Sequence, residues 1–458
     1  CYGLSLTPDD RKVLWGAIEV HLASIDNGAG LSLVPRPQPL DDGLALVAAR
    51  RLLAMTPKDL ARRARVADLL SESSQVREAL GISRKLLDES PRHPTLPIAI
   101  ASQLGRLGRE DEALSMLRLA IRRAPQSAVA WENLANLKTF RREDPEFVEL
   151  ERLARASEDR PESAGFACAL AKAYDDVGDV DLAFHWFERG SGRVLGGRVP
   201  RLETLFQEAA EACAAFPQQR LGAGPHGDRP ERPILVLGCP RSGTTLIERI
   251  LATAPGAVSG GELKLLRLAC LGFSPPSPER VADFVRFSGG EASAWRRVAD
   301  TYIGKLQSRF GHADGLIDKG LVNYLYVGAL ALGLPQARIL HMRRDPMDVA
   351  WSCFRRRFHQ GLHWSYDFES IAAFMRVYEE ILHYWKQNLP GRILTVEFER
   401  LLSNPEGETA KIFEFAGLER PTDWHSFYEK RGVVLTSSRQ QVRRQLNTDG
   451  VGAWRRYE

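Results

Sequence analysis

The sequence predicts an all-α region of helical repeats followed by an α/β domain built on a parallel sheet. At 458 residues the chain is too long for one ordinary hydrophobic core, so two domains are expected. In the first half, the Ala-Leu pair at 79–80 recurs at 113–114, a spacing of 34 residues (113 − 79 = 34). In the second half, short apolar runs alternate with segments of helical periodicity, which is the order of elements in a parallel sheet.

Composition narrows the class of protein. Charged residues make up 26% of the chain, hydrophobic residues make up 44%, and the net charge is +4, which is typical of a globular protein and argues against a general nucleic-acid binder. The six cysteines form neither a CxxC pair nor a metal-ligand spacing, so we expect no disulfide framework, no metal site and a reducing, cytoplasmic location. No apolar run approaches the roughly 18 residues that span a bilayer. The first residue is Cys1, which leaves open a targeting segment ahead of it.

The first half divides into two predicted segments. Residues 1–43 are expected to form an amphipathic helix over 7–24 and a connection rich in Pro and Gly. Residues 44–216 are expected to form tetratricopeptide-like repeats, because Pro91 recurs as Pro125 at the repeat length of 34 residues (125 − 91 = 34). Stacked repeats form a concave surface that can bind an acceptor protein or peptide, and a generic helical bundle is the alternative.

A linker and the second domain follow the repeats. Residues 217–232 are rich in Gly, Pro and Arg and are predicted to be the linker. Residues 233–458 are predicted to form the α/β domain, in which 275–290 is expected to be irregular. The strands of this domain are predicted at 234–237, 257–262, 315–319, 338–342 and 392–398.

The second half is organised around the segment PILVLGCPRSGTTLIERI at 233–250. Ile234–Leu237 is a short apolar strand, Gly238–Gly243 is a turn of small residues, and Thr244–Leu251 has helical spacing. A strand, a glycine-bounded loop and a helix N-terminus together present backbone N–H groups and the helix dipole to a phosphate. The segment therefore predicts an anion-binding loop, and an ordinary strand-turn-helix is the alternative.

This loop has the spacing of a Walker loop but lacks the lysine. Four residues separate Gly238 from Gly243, and Thr244 occupies the position of the lysine. The γ-phosphate of ATP or GTP would lose its usual cation there. Arg241 supplies positive charge from within the loop. The pattern therefore favours a phosphorylated ligand that is not a hydrolysed nucleoside triphosphate, and it implies no Mg²⁺.

Charged residues lie at the ends of three other predicted strands. Glu262 and Lys319 are the last residues of two of them, and Arg344 follows the third by two residues. Because the carboxyl ends of parallel strands lie along one edge of a sheet, we expect these side chains and the loop to form a single site. A helix N-terminal acid is the alternative for Glu262, and solvated surface cations are the alternative for the other two.

The string PRSGTT resembles the 5′-phosphosulfate loop of sulfotransferases that use 3′-phosphoadenosine 5′-phosphosulfate (PAPS). It is most similar to the loop of tyrosylprotein sulfotransferases, whose bacterial relatives often carry tetratricopeptide repeats ahead of the catalytic domain. The resemblance implies a P-loop-type sulfotransferase domain. It also implies cofactor binding by residues of the loop, of the segment after the strand predicted at 338–342 and of the C-terminal segment: Arg241, Ser242, Gly243, Thr244, Thr245, Arg344, Ser352, Arg356 and Arg443.

Within that set, Arg344 and Ser352 have the eight-residue spacing (352 − 344 = 8) of the pair that binds the 3′-phosphate in this family. Arg356 falls where the family has another basic residue, and Arg443 lies in a segment that resembles its cofactor-covering tail. An arginine suits a phosphate because its planar guanidinium can make two parallel hydrogen bonds to phosphate oxygens.

The resemblance also implies three catalytic residues and one substrate-binding residue. Glu262 would be the catalytic base, and Lys264 falls where the family has a substrate-binding Arg. Lys319 resembles the Lys of the family's Asn-Lys-Asp-Pro motif, although Gly320 follows it here. Transfer to a hydroxyl requires a base for its proton, and cations such as Lys319 and Arg241 would stabilise charge on the departing phosphate.

The predicted activity is transfer of a sulfuryl group from PAPS to an acceptor hydroxyl, with a protein tyrosine as one candidate. A carbohydrate, a lipid or a small phenol stays open as the acceptor, and the oligomeric state cannot be read from the sequence. The alternatives are a P-loop kinase or NTPase, and a non-catalytic scaffold that joins repeats to a nucleotide-binding domain.

Overall fold

The computed structural model describes residues 42–55, 58–73, 75–157, 163–197, 202–224, 226, 229–313, 315–358, 362–429 and 441–458. The helix predicted over 7–24 lies outside these residues. None of the described helices is long and apolar enough to cross a membrane.

The first half is helical. Its ten helices within the described ranges are α1 (Asp42–Met55), α2 (Leu60–Glu72), α3 (Val76–Glu89), α4 (Leu96–Arg106), α5 (Glu110–Arg123), α6 (Ala128–Leu137), α7 (Pro145–Ala156), α8 (Ala164–Asp176), α9 (Val180–Leu195) and α10 (Leu202–Ala215). Side-chain caps mark the N-termini of several of these helices. Ahead of α6, for example, the Ser127 hydroxyl accepts the N–H of Ala130 at 3.3 Å. Helices α3 and α5 begin 34 residues apart (110 − 76 = 34), and neighbouring helices pack against one another. The helical prediction is confirmed, and the assignment to tetratricopeptide repeats stays a prediction.

The segment predicted to be a linker contains a short helix that packs on the second half. Helix α11 (Gln218–Gly222) lies within it. The Nε atom of Arg220 lies 3.1 Å from Glu291, and the Tyr384 hydroxyl donates to the Phe216 carbonyl at 2.8 Å. One buried hydrophobic cluster includes side chains from both halves, such as Trp131 and Trp385. The two halves therefore share a continuous core.

The second half contains a five-stranded parallel sheet. Its strands are β1 (Ile234–Gly238), β2 (Ala257–Ser259), β3 (Gly315–Asp318), β4 (Arg338–Arg343) and β5 (Ile393–Glu397), in the order β2-β3-β1-β4-β5. Strand β1 is buried along its whole length and pairs with β3 and β4. The predicted parallel α/β sheet is confirmed, and its geometry brings the carboxyl ends of all five strands to one edge.

Helices connect these strands. Those of the α/β region are α12 (Thr244–Leu251), α13 (Leu265–Ala269), α14 (Pro278–Phe287), α15 (Glu291–Phe310), α16 (Val327–Gly333), α17 (Pro346–Phe354), α18 (Phe368–Asn388), α19 (Phe398–Ser403) and α20 (Pro405–Ala416). Helix α14 corrects the expectation that 275–290 is irregular. Ser277 caps this helix by accepting the N–H of Arg280 at 3.3 Å, and Pro278 occupies its first turn. A Ser-Pro pair thus marks a helix start here rather than a loop.

Candidate active site

The loop between β1 and α12 depends on its two glycines. Gly243 has a φ of 101°, which favours glycine, and a Cβ atom there would lie 2.6 Å from the Phe398 ring. A Cβ atom on Gly238 would lie 2.4 Å from the Oγ atom of Ser242. Arg241 also has a positive φ, 73°, although it is not glycine. The loop is therefore held in one compact conformation by close contacts.

Hydrogen-bonding groups of this loop are buried at the start of α12. Ser242 is 1% exposed, and its Oγ atom has no hydrogen-bond partner among the described residues. Thr244 and Thr245 are also buried in the first turn of the helix. The first N–H groups of a helix lack intrahelical acceptors, and a buried hydroxyl without a partner is uncommon. An anionic ligand bound here could accept hydrogen bonds from these groups.

Arg241 joins the loop to residues that follow β4. Its Nε atom donates to the Ser352 hydroxyl at 2.9 Å, and its second guanidinium nitrogen donates to Oε1 of Gln441 at 2.9 Å. Arg344 in turn donates to the Arg241 carbonyl at 3.0 Å. Arg241, Ser352 and Arg344, which the sequence assigned to opposite ends of one ligand, therefore form a single cluster.

Positive charge is concentrated in this cluster. Burial and the charges of Arg356, Arg355 and Arg344 lower the pKa of Arg241 to about 9. Burial also lowers the pKa of Arg344, whose Nε atom has no partner within the described chain and whose guanidinium lies 4.7 Å from the Phe398 ring. A cation is disfavoured by burial and by like charges, so a bound anion would relieve both effects.

A cavity of about 280 Å³ lies beside these arginines. Its lining includes four arginines and one carboxylate, together with the ring of Phe398 and part of the C-terminal segment: Arg241, Arg344, Arg355, Arg444, Asp449, Gly243, Gln441 and Gly450. We call it the arginine cleft. Its size is close to the lower limit of small-molecule pockets, and its charge suits a polyanion.

Glu262 and Lys319 form an ion pair at the same edge of the sheet. The Nζ atom of Lys319 lies 2.8 Å from Oε1 of Glu262. The Lys319 side chain is 1% exposed, whereas that of Glu262 is 36% exposed. Burial tends to lower the pKa of Lys319, but the carboxylates of Glu262 and Glu248 outweigh it and raise this pKa. Lys319 is therefore a buried cation beside an accessible carboxylate.

Two buried carboxylates hold the backbone around this pair. Glu248 on α12 accepts the N–H of Gly261 and the hydroxyl of Ser259, both at 2.7 Å. Asp318 accepts from the Tyr302 hydroxyl at 2.7 Å and from the N–H of Gly320 at 2.9 Å, and burial raises its pKa to about 6. These bonds fix the turns from which Glu262 and Lys319 project.

A smaller cavity of about 60 Å³ lies on the other side of the loop. Gly238 and Pro240 contribute to it from the loop, and Leu321 contributes from the turn after Lys319. The remainder of its lining is mainly aromatic and aliphatic: Leu205, Arg267, Val322, Tyr324, Leu325, Tyr326, Leu362, Trp364, Phe374 and Tyr378. We call it the aromatic cavity.

Comparison with known proteins identifies this part of the chain. Residues 233–423 match the model of the sulfotransferase family. This segment is a sulfotransferase-family domain. The match covers the loop, the ion pair and the residues after β4, so these features lie within that domain.

Three curated relatives are similar to the chain. A candidate protein-tyrosine sulfotransferase of Caenorhabditis briggsae is 27% identical over 232 residues, which are 49% of this chain and 81% of the relative. Human heparan sulfate glucosamine 3-O-sulfotransferase 6 is 28% identical over 116 residues, 24% of this chain and 28% of the relative. An uncharacterised protein of Aquifex aeolicus is 25% identical over 413 residues, 85% of this chain. The chain spans 52% of that last protein's length.

Solved sulfotransferase domains are also similar to the chain. The domain of the Synechococcus PCC 7002 olefin synthase is 22% identical, with a TM-score of 0.37, and covers 51% of this chain and 90% of that one. The domain from the curacin biosynthetic pathway is 16% identical, with a TM-score of 0.36, and covers 50% of this chain and 92% of that one.

Three predicted site residues do not line the arginine cleft. Lys264 is exposed at the start of α13. Arg356 donates to Oδ1 of Asn136 on α6 at 2.9 Å. Arg443 donates to the carbonyl of Arg106 on α4 at 2.8 Å. The guanidinium groups of these two arginines are thus directed at the helical region.

Sequence reasoning missed several residues around the loop and the arginine cleft. Arg355 and Arg444 line the arginine cleft, and each stands next to an arginine that was predicted instead. A run of arginines indicates that cations are needed, but it does not indicate which of them faces the ligand. Gln441 and Glu248 act through tertiary contacts 200 and 13 residues away, and no local signal marks them.

Proposed function

We propose that the chain transfers a sulfuryl group from PAPS to an acceptor hydroxyl. One observation carries the proposal. A carboxylate and a buried cation, Glu262 and Lys319, meet within 2.8 Å at the sheet edge that also bears the lysine-free loop. A base beside a cation is what proton removal and charge stabilisation at a transferred group require.

The residues around the loop fit PAPS as the donor. The buried Ser242 hydroxyl and the first turn of α12, with Thr244 and Thr245, would hold the 5′-phosphosulfate. Arg344, which lines the arginine cleft, and Ser352, whose hydroxyl contacts Arg241, would hold the 3′-phosphate. Bound there, PAPS would supply the activated sulfuryl group. The missing Walker lysine and the surplus of arginines favour this ligand over Mg²⁺-ATP.

The chain's own residues would act on the acceptor and on the developing charge. The Glu262 carboxylate, which is partly exposed, accepts the proton of the acceptor hydroxyl through an oxygen atom. The neighbouring carboxylates raise the pKa of Lys319, so this side chain stays a cation and places positive charge where negative charge accumulates. Glu248 and Asp318 hold both turns, so little reorganisation is required.

We further propose an aromatic hydroxyl, such as that of a protein tyrosine, as the acceptor. The aromatic cavity supports this choice because Trp364 and Phe374 stack at 3.9 Å within it and the loop forms one wall. The Tyr378 hydroxyl is buried there without a partner in the described chain, so it could donate to an acceptor group. A relative named for protein-tyrosine sulfation points the same way.

For the helical region we propose tetratricopeptide repeats that present the acceptor protein. The 34-residue spacing between the starts of α3 and α5 supports this assignment. The proposal adds no chemistry to the site, and it requires only that the repeats bind a peptide near the aromatic cavity.

Incubation with sulfur-labelled PAPS tests the proposed activity. The full chain is offered a tyrosine peptide, an oligosaccharide and a lipid alcohol, and the labelled product is identified by class. We expect label on the tyrosine peptide, and we expect it to be lost in Glu262→Gln. Label on the oligosaccharide or lipid alone would contradict the aromatic acceptor, and label on none of the three would contradict sulfuryl transfer.

A further inference from the structure

Arginines of the second half of the chain contact the C-terminal ends of helices in the helical region. Arg443 donates to the carbonyls of Gly105 and Arg106 at the end of α4. Arg356 donates to Asn136 near the end of α6 at 2.9 Å. The C-terminal end of a helix carries partial negative charge and unpaired carbonyl groups, so it attracts cations. Alternate helices of the helical region thus receive positive charge from around the arginine cleft.

Asp175 at the end of α8 makes three further contacts with the second half. Its Oδ1 atom accepts from the Tyr457 hydroxyl at 2.6 Å and lies 3.3 Å from Arg456. Its Oδ2 atom lies 3.5 Å from Arg355. The Asp175 side chain is 14% exposed. One carboxylate therefore holds both an arginine that follows α17 and the last turn of the chain.

Both groups held by Asp175 belong to walls of the arginine cleft. Arg355 lines the cleft directly. The C-terminal segment that ends at Tyr457 contributes Gly450, whose carbonyl accepts from Arg344. The Tyr457 ring also packs 4.0 Å from Trp351, the neighbour of Ser352. Two short paths of contacts therefore connect Asp175 to the cleft.

Charge explains why such an anchor is needed. Arg241, Arg344 and Arg355 repel one another across the cleft, and each would be better solvated further out. A carboxylate behind Arg355 offsets this repulsion and sets the direction of its side chain. The helical region provides this counter-charge from outside the sulfotransferase-family domain.

We infer that the helical region supports the arginine cleft from outside its lining, with Asp175 as the positioning residue that holds Arg355 and the C-terminal segment in place. In this arrangement Arg355 and Arg444 supply cations to the ligand, while Arg356 and Arg443 join the two halves of the chain. The inference rests on the proposed function only for the identity of the ligand, which is taken to be a nucleotide with 3′- and 5′-phosphate groups.

Calorimetric binding of 3′,5′-adenosine bisphosphate to the full chain tests this inference. We expect Asp175→Asn to weaken binding by about 10-fold, because a charge-assisted contact that positions a ligand group is lost. Tyr457→Phe removes one hydrogen bond at the end of the chain and should weaken binding by about 3-fold. Asp111→Asn, an exposed acid at the start of α5, is the matched control and should bind like the wild type.

The same variants are compared in their steady-state kinetics. Asp175→Asn should raise the KM for PAPS with little change in kcat, because Asp175 does not contact Glu262 or Lys319. Asp175→Glu keeps the charge and should recover part of the lost affinity. A purely structural role would instead lower the amount of active enzyme and leave KM unchanged.

Trypsin cleavage after Arg444 supplies a readout that needs no ligand. Because trypsin also cuts after Arg455 and Arg456, the product to follow is the peptide that begins at Gln445, and Asp175→Asn and Tyr457→Phe should release it faster than the wild type and Asp111→Asn do. Unchanged cleavage and unchanged affinity in both variants would overturn the inference, and so would an equal effect in Asp111→Asn. If Asp175→Asn fails to fold, Tyr457→Phe decides. If the wild-type chain binds no bisphosphate, the proposed function is refuted. The cleavage rates then test separately whether Asp175 holds the C-terminal segment in place.

Discussion

The Nζ atom of Lys319 and the Oε1 atom of Glu262 lie 2.8 Å apart, across the carboxyl ends of β3 and β2. The lysine is buried, the carboxylate is partly exposed, and a hydrogen bond from the N–H of Lys319 to the Gly261 carbonyl at 3.0 Å joins their backbones. This pair places a carboxylate that solvent reaches beside a cation that solvent does not reach. It lies beside the loop because β3 is the direct neighbour of β1.

Replacing the base should remove turnover and leave donor binding intact. Glu262→Gln keeps the shape of the side chain but cannot accept a proton at neutral pH, so kcat should fall by about 10²- to 10⁴-fold. The dissociation constant for 3′,5′-adenosine bisphosphate should stay within about twofold, since Glu262 lies outside the arginine cleft. Glu279→Gln, an exposed acid on α14, is the control. Full activity in Glu262→Gln would exclude this carboxylate as the base.

Removing the buried cation should act on the transition state. In Lys319→Met the Glu262 carboxylate loses its partner, and charge on the departing phosphate loses a counter-ion. We expect the rate constant of sulfuryl transfer, measured in single-turnover experiments, to fall by about 10²- to 10³-fold. The bisphosphate, which carries no sulfuryl group, should bind with an affinity close to that of the wild type. A loss of binding with unchanged single-turnover rate would assign Lys319 to donor binding instead.

Replacing the loop glycine Gly243 should destabilise the folded protein. Gly243→Ala must adopt a φ of 101° and brings a methyl group within 2.6 Å of the Phe398 ring. We expect the free energy of unfolding, from urea denaturation, to fall by about 1–3 kcal/mol. Gly304→Ala is the control, because this helical glycine on α15 has no atom within 4 Å of the added carbon and should be neutral or stabilising by up to about 1 kcal/mol. Equal stability of the two variants would refute the strain at Gly243.

The buried Asp318 should make stability depend on pH. Burial raises its folded-state pKa from the model-compound value of 3.8 to about 6. A group whose pKa is raised on folding stabilises the protein below its unfolded pKa, and this contribution is lost as the pH rises through the folded value. The unfolding free energy of the wild type minus that of Asp318→Asn should therefore decrease between about pH 4 and pH 7, by on the order of 3 kcal/mol. A difference that rises with pH would mean that the three hydrogen bonds to Asp318 outweigh its burial.

Much of this architecture could be predicted because its signals are local. The strand, glycine loop and helix at Ile234–Leu251 were readable from apolar periodicity and from two glycines. The meeting of Glu262 with Lys319 followed from parallel strands that end at one edge. Helix α14 was missed because 275–290 was expected to be irregular, whereas Ser277 caps a helix that begins at Pro278.

Contacts between distant segments could not be predicted. Arg443 and Arg356 were assigned to the cofactor on resemblance, and that assignment stays a prediction, but their guanidinium groups contact the ends of α4 and α6. Asp175 lies 180 residues from Arg355 in sequence. A single sequence does not show how the helical region packs on the second half. It therefore does not indicate which of several neighbouring arginines faces the arginine cleft.

The measurement that tests the central claim most directly is calorimetric binding of two nucleotides to the wild-type chain. A loop without the Walker lysine, beside a cleft of arginines, should bind 3′,5′-adenosine bisphosphate and should give no heat with Mg²⁺-ATP at the same concentration. Binding of Mg²⁺-ATP without binding of the bisphosphate would contradict the account and would favour a P-loop kinase or NTPase.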